Sequence, residues 1–168
     1  MPKQIDHILE RESLRFAFIE QSTILYNAKY SLIVNLPTLI GQATFKNLKH
    51  ALQENLDDSN TQMAALKEIF RLMDESWLTQ ECLGIAAVVA EALRQVSFKQ
   101  DNHYKSDMSI LFYLSVIDNM QLGACKILNL LAVKLAFQPY AQLVLECLDN
   151  SRENSKLIHF VAEEYFAN

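Results

Sequence analysis

The sequence predicts an all-α protein built as a single four-helix bundle, and three observations carry that prediction. Only three glycines and three prolines occur among 168 residues, so turns are few and the elements between them are long. Apolar residues recur at alternating spacings of three and four over four long stretches, which is the period of a helix with one buried face. The length suits one domain with one core, so residues 1–168 are read as a single unit.

Residues 1–10 read as a loose lead-in. A helical pattern starts near Arg11 and runs to about Ile40. Pro37 should kink it or end it early, and Gly41 reads as its C-cap. Thr44 can cap a second helix running to about Met73. Asp74-Glu75-Ser76 is a break, and Trp77–Val96 is a shorter, alanine-rich helical segment. Lys99–Lys105 is polar and reads as a loop. Asp107 can cap a third long helix running to about Phe137, and Pro139 fits the first turn of a fourth that continues to about Phe166. The 74–106 connection is long enough for the third long helix to start at the same end as the second. One crossover of that kind gives a ferritin-like bundle, with the shorter helix lying in the crossover.

Composition excludes several classes. The net charge is −5 and the basic residues are scattered, so neither a nucleic-acid footprint nor a polybasic membrane anchor is present. No uninterrupted apolar stretch reaches the ~18 residues of a membrane span, and no signal peptide is visible, so the expected compartment is the cytoplasm. Cys82, Cys125 and Cys147 are odd in number and widely spaced, which fits buried thiols rather than disulfides or zinc ligands. His7, His50, His103 and His159 fall off the helical stripes and show no metal-binding spacing. Phosphate-loop, dinucleotide and nucleophile-elbow motifs are absent. The second face of the apolar Trp77–Val96 segment is expected to meet another subunit, making a homodimer.

Every stripe is apolar at its ends and polar near its middle. On the first long helix it is Phe18, Ser22, Leu25, Lys29, Leu32, Leu36 and Leu39. On the second it includes Asn55, Asp58 and Gln62, on the third Asp118, Gln121 and Cys125, and on the fourth Glu146, Asn150 and Asn154. Lys29, Asp58, Gln62, Asp118, Gln121 and Asn150 would therefore form one polar layer inside the bundle. Burying such groups is costly unless they satisfy one another. Tyr26, Tyr30 and Tyr113 lie near that level in sequence, as layer caps or as core rings.

Four motifs between about Arg15 and the C-terminus match those of a known family in order and spacing. Leu25-Tyr26-Asn27-Ala28-Lys29 stands where the family commonly reads Leu-Tyr-Asp-Ala-Glu. Leu56-Asp57-Asp58-Ser59 followed by Gln62 stands for Leu-Glu-Glu-Thr and Gln. Ile117-Asp118-Asn119-Met120-Gln121-Leu122 stands for Val-Glu-His-Tyr-Glu-Ile, and Leu148-Asp149-Asn150-Ser151-Arg152 for Leu-(Asp or Glu)-Glu-Glu-Lys. In these motifs the chain resembles the ferritin-like family of bacterial stress-associated YciF/YciE proteins, and the resemblance implies a pair of metal ions held between carboxylates of the four helices. Here Lys29 replaces the first-helix glutamate, and Gln121 and Asn150 replace two others.

The resulting expectation is a divergent bundle with no metal, no cofactor and no catalytic residues, in which Lys29 neutralises Asp58 and Asp118. Its role would be structural or one of interaction, with a stress association implied by the resemblance and a protein partner the sequence does not name. The competing reading is an iron- or manganese-pair protein handling oxygen or peroxide, with an atypical site at Asp58, Asp118 and Glu146.

Overall fold

The structure is a computed structural model and describes residues 2–76, 83–99, 101–136 and 138–167, with side chains from Glu10 onward and none for Leu83. The described residues form five helices: α1 (Pro2–Gln42), α2 (Lys46–Leu72), α3 (Leu83–Phe98), α4 (His103–Leu135) and α5 (Gln138–Ala167). Contacts at the two ends fix their directions. At one pole, Asp107 of α4 binds Thr44 and Phe45 at the entry to α2, while Asn47 binds Glu164 near the end of α5. At the other pole, Arg15 of α1 reaches the Met73 carbonyl after α2, and the Phe18 ring lies 5.1 Å from Tyr140 at the start of α5. Thus α1 and α5 run one way and α2 and α4 the other. Each long helix packs on two antiparallel neighbours, α1 and α5 sit diagonally, and α3 lies in the α2–α4 crossover against α1 and α4.

Several local expectations change. The first helix starts at Pro2, where residues 1–10 were expected to be loose, and it passes through Pro37. Pro37 is exposed, so water can meet the carbonyl its ring leaves unpaired. Gly41 stays helical, and the helix closes through Ala43 N–H on the Leu39 carbonyl at 2.9 Å. The residues preceding α2 and α4 are Phe45 and Asn102, where Thr44 and Asp107 were expected as caps; only Asn102 caps with its side chain, accepting from Lys105 N–H. Pro139 does occupy the first turn of α5.

Ala136 joins α4 to α5 at φ 53°, in the left-handed region where a Cβ is strained. Ala136→Gly is therefore expected to stabilise the protein by about 1 kcal/mol in urea denaturation, because glycine takes this C-terminal position without strain.

The core is two apolar clusters stacked along the bundle axis. One contains Leu32, Leu36, Leu48, Leu52, Leu111 and Val161, and the other contains Phe18, Leu25, Leu66, Phe70, Leu128 and Val144. On α3, Ile85, Val89 and Val96 are buried in the first cluster, with Val88 and Leu93 packed beside them. These side chains seat α3 on the bundle. The exposed residues of α3 are Gly84, Ala87, Ala90, Arg94, Ser97 and Phe98, and the Phe98 ring is 84% exposed. Trp77–Cys82 lies outside the described residues. By length and composition α4 could cross a membrane, but its stripe from Leu111 to Leu135 is core to this bundle.

A buried polar layer as the candidate functional site

Between the two clusters the four long helices converge on polar groups. Lys29 of α1 is 1% exposed and Asp118 of α4 is 2% exposed; Asn55, Ser59 and Gln62 of α2, Gln121 of α4, and Ser151 and Asn154 of α5 are buried with them. The Lys29 ammonium donates to the Gln121 side-chain oxygen. Asn55 Nδ2 donates to both oxygens of Asp118, at 2.9 and 3.1 Å, and Ser59 donates to the Asn55 oxygen at 3.4 Å. Gln62 Nε2 donates to the Cys147 carbonyl at 3.3 Å and to Ser151 Oγ at 3.4 Å. Ser151 in turn meets Cys125 Sγ at 3.5 Å.

The layer differs from the sequence expectation in two helices. Lys29, Gln62, Asp118 and Gln121 are where they were placed. Asp58 and Asn150 are only half-buried, and the inward positions beside them belong to Ser59 and Ser151. Glu146, a ligand in the competing metal reading, is exposed and accepts from Gln142. Tyr26 is a core ring edge-on to Phe70, Tyr30 is exposed, and Tyr113 packs on Phe112. Asn55, Ser59 and Ser151 are layer members that the motif comparison did not single out; Asn55 stood on the α2 stripe, and that was the signal for it.

Burial controls the electrostatics. It lowers the Lys29 pKa below the ordinary lysine value, against an attraction led by Asp118 with smaller shares from Cys125, Cys147 and Asp58. Burial raises Asp118 to about 6, opposed by the Asn55 hydrogen bonds and then by Lys29. It also raises Asp58, opposed chiefly by Lys29. The buried thiols are pushed up as well, Cys147 to about 12, so they pack as inert side chains.

The model of the protein family DUF892, described as a domain of unknown function, matches residues 13–167. The chain belongs to the DUF892 family. Solved structures agree on the fold. The E. coli stress protein YciF superposes with a TM-score of 0.86 at 16% identity, covering 92% of this chain and 98% of that one. YcfI of Rhodopseudomonas palustris, described as a candidate structural protein, gives 0.81 at 16% identity over 87% of this chain and 92% of that one. No curated protein matches the chain. The YciF-like resemblance expected from the four motifs therefore holds for family and fold.

For this DUF892 bundle, the raised Asp118 pKa makes stability pH-dependent. Asp118 holds its proton more tightly folded than unfolded, where the reference is 3.8. The stability it contributes is complete below about pH 4 and is lost as pH rises through about 6, a change of roughly 3 kcal/mol. Urea denaturation of wild type and Asp118→Asn from pH 4 to pH 7 should show wild type losing ground by about that amount. A constant difference would refute the shift.

Proposed function

We propose that this protein is a ferritin-like bundle without metal, a homodimer of the cytoplasm with a structural or interaction role in stress rather than an enzymatic one. One observation carries the reading: the Lys29 ammonium is fully buried at the level where all four long helices present polar side chains. Two divalent cations at this level would need several anionic oxygens around them. The donor set does not fit that need. It offers one fully buried carboxylate, Asp118, with two neutral glutamine amides and a cation. Among the described residues, no three His, Cys, Asp or Glu side chains come together as a metal site. A positive side chain in the layer further disfavours a dication.

The stress association draws on the likeness to the stress protein YciF and the structural role on the likeness to YcfI. Exposed Ile127, Leu130 and Val133 on α4, with exposed Phe98 at the end of α3, support a contact between copies. Native mass spectrometry of protein expressed with added iron, manganese and zinc tests both parts together. The expected species is twice the chain mass with no bound metal. Two metal ions per chain would overturn the metal-free reading and make oxygen or peroxide chemistry the leading function. A monomer would remove the dimer alone.

A further inference from the structure

The polar layer holds more hydrogen-bonding capacity than its side chains spend on one another. An ammonium has three donors, and among the described residues Lys29 meets one acceptor, Gln121 Oε1. That bond turns the Gln121 amide so that Nε2 faces away from Lys29, and Nε2 is buried with no partner. The bond from Gln62 Nε2 to the Cys147 carbonyl likewise fixes the second amide and leaves Gln62 Oε1 buried with no partner. Asp118 has two oxygens with about four acceptor positions, and one amide group, Asn55 Nδ2, serves both. Asp118 is also the strongest attraction on Lys29, although the ammonium's hydrogen bond goes to Gln121.

These groups are stacked along the bundle axis: the Asn55–Asp118 pair lies about two helical turns from Gln62 and Cys125, and Gln121 stands between them on α4. Gln62 and Cys125 meet at Ser151, and Cys125 follows Gln121 by one helical turn on α4. The open valences are of both kinds, N–H donors from Lys29 and Gln121 and acceptors on Gln62 and Asp118. A halide supplies no donor and a second cation no acceptor. Water supplies both, and internal waters typically make about three such bonds to buried polar groups.

We propose that the layer is a binding site for internal water, bridging the Lys29 ammonium to the Asp118 carboxylate, with Gln121 Nε2 and Gln62 Oε1 as its further partners. The inference rests on the metal-free reading of the layer. A bridged pair keeps both charges solvated inside an apolar bundle, where a charge left without partners is costly to bury.

A crystal structure of the full chain at about 1.5 Å resolution, with anomalous data, tests it. The expected result is an ordered solvent peak within about 2.7–3.2 Å of a Lys29 or Gln121 donor and of an Asp118 or Gln62 acceptor, lost in Lys29→Met. A layer without solvent, or Lys29 in direct contact with Asp118 with no solvent between them, overturns the water site and leaves the metal-free reading standing. An anomalous metal peak at this level overturns the metal-free reading itself. In solution, the Gln121 side-chain amide protons should show an NOE to a long-lived water, and no such NOE would overturn the proposal independently of any crystal.

Discussion

Lys29→Ala is expected to destabilise the protein by roughly 3–5 kcal/mol in urea denaturation at pH 7, the range for breaking a buried charge pair. Two effects combine in that figure, and variants separate them. Alanine removes most of a fully buried side chain, so part of the loss is cavity formation around Leu25, Leu32 and Gln121. Lys29→Met keeps nearly the same volume and removes only the charge, so its loss measures the cost of leaving Asp118 without a cation. If charge is the larger part, Lys29→Met should retain most of the alanine effect. Joining it to Asp118→Leu should bring stability back close to wild type, because an apolar replacement of a buried pair is often neutral or better. A Lys29→Ala loss below about 1 kcal/mol, the size of an exposed pair, would show that Lys29 is not a buried cation in solution.

The same residues show how much the sequence could reveal. On α1 and α4 the stripes were legible without error, from Phe18 to Leu39 and from Leu111 to Leu135. In both helices the row chosen from sequence falls on buried positions throughout, and Lys29, Asp118 and Gln121 stand directly in it. On α2 and α5 the phase slipped by one residue in the middle. Inward positions there are small and weakly apolar, Ser59 on α2, Cys147 and Ser151 on α5, while Leu143, Leu145 and Leu157 spread apolar character over the other faces of α5. Periodicity cannot choose a face in such a stretch, so Asp58, Glu146 and Asn150 were placed one position inside their true setting. The Lys29–Asp58 pairing is weaker than the sequence suggested, since Asp58 is half-exposed and the smallest attraction on Lys29, although Lys29 is the chief group opposing the upward shift of Asp58. Which acceptor the ammonium chooses depends on side-chain geometry between α1 and α4, which no linear pattern encodes.

The second large effect is expected at Asp107, a residue whose importance is visible only in three dimensions. By its sequence position Asp107 looked like the cap of its own helix. It instead lies in the second turn of α4, 1% exposed, and turns toward the α1–α2 junction. There it accepts three hydrogen bonds: from Thr44 N–H at 2.9 Å, from the Thr44 hydroxyl at 2.5 Å and from Phe45 N–H at 2.9 Å. Phe45 precedes α2 and makes no side-chain cap, so a carboxylate from another helix does the work a local Ser or Asp would do. It also ties the α4 start to the α1–α2 turn, on the pole where Tyr165 donates to the Tyr104 carbonyl and stacks on its ring. Hydrogen bonds to a charged acceptor contribute about 1.5–3 kcal/mol each, and the losses overlap because the donors share one group. Asp107→Ala should therefore cost roughly 3–5 kcal/mol. Asp107→Asn should cost less, because its amide oxygen can still serve one or two of the donors. Thr44→Val removes only the hydroxyl and should lose about 1 kcal/mol. Hydrogen exchange supplies the spatial readout: in Asp107→Ala the Thr44 and Phe45 amides should lose protection first, and the neighbouring turns of α2 and α4 after them. Equal loss of protection along all of α4 would mean that Asp107 acts through global packing rather than through this junction.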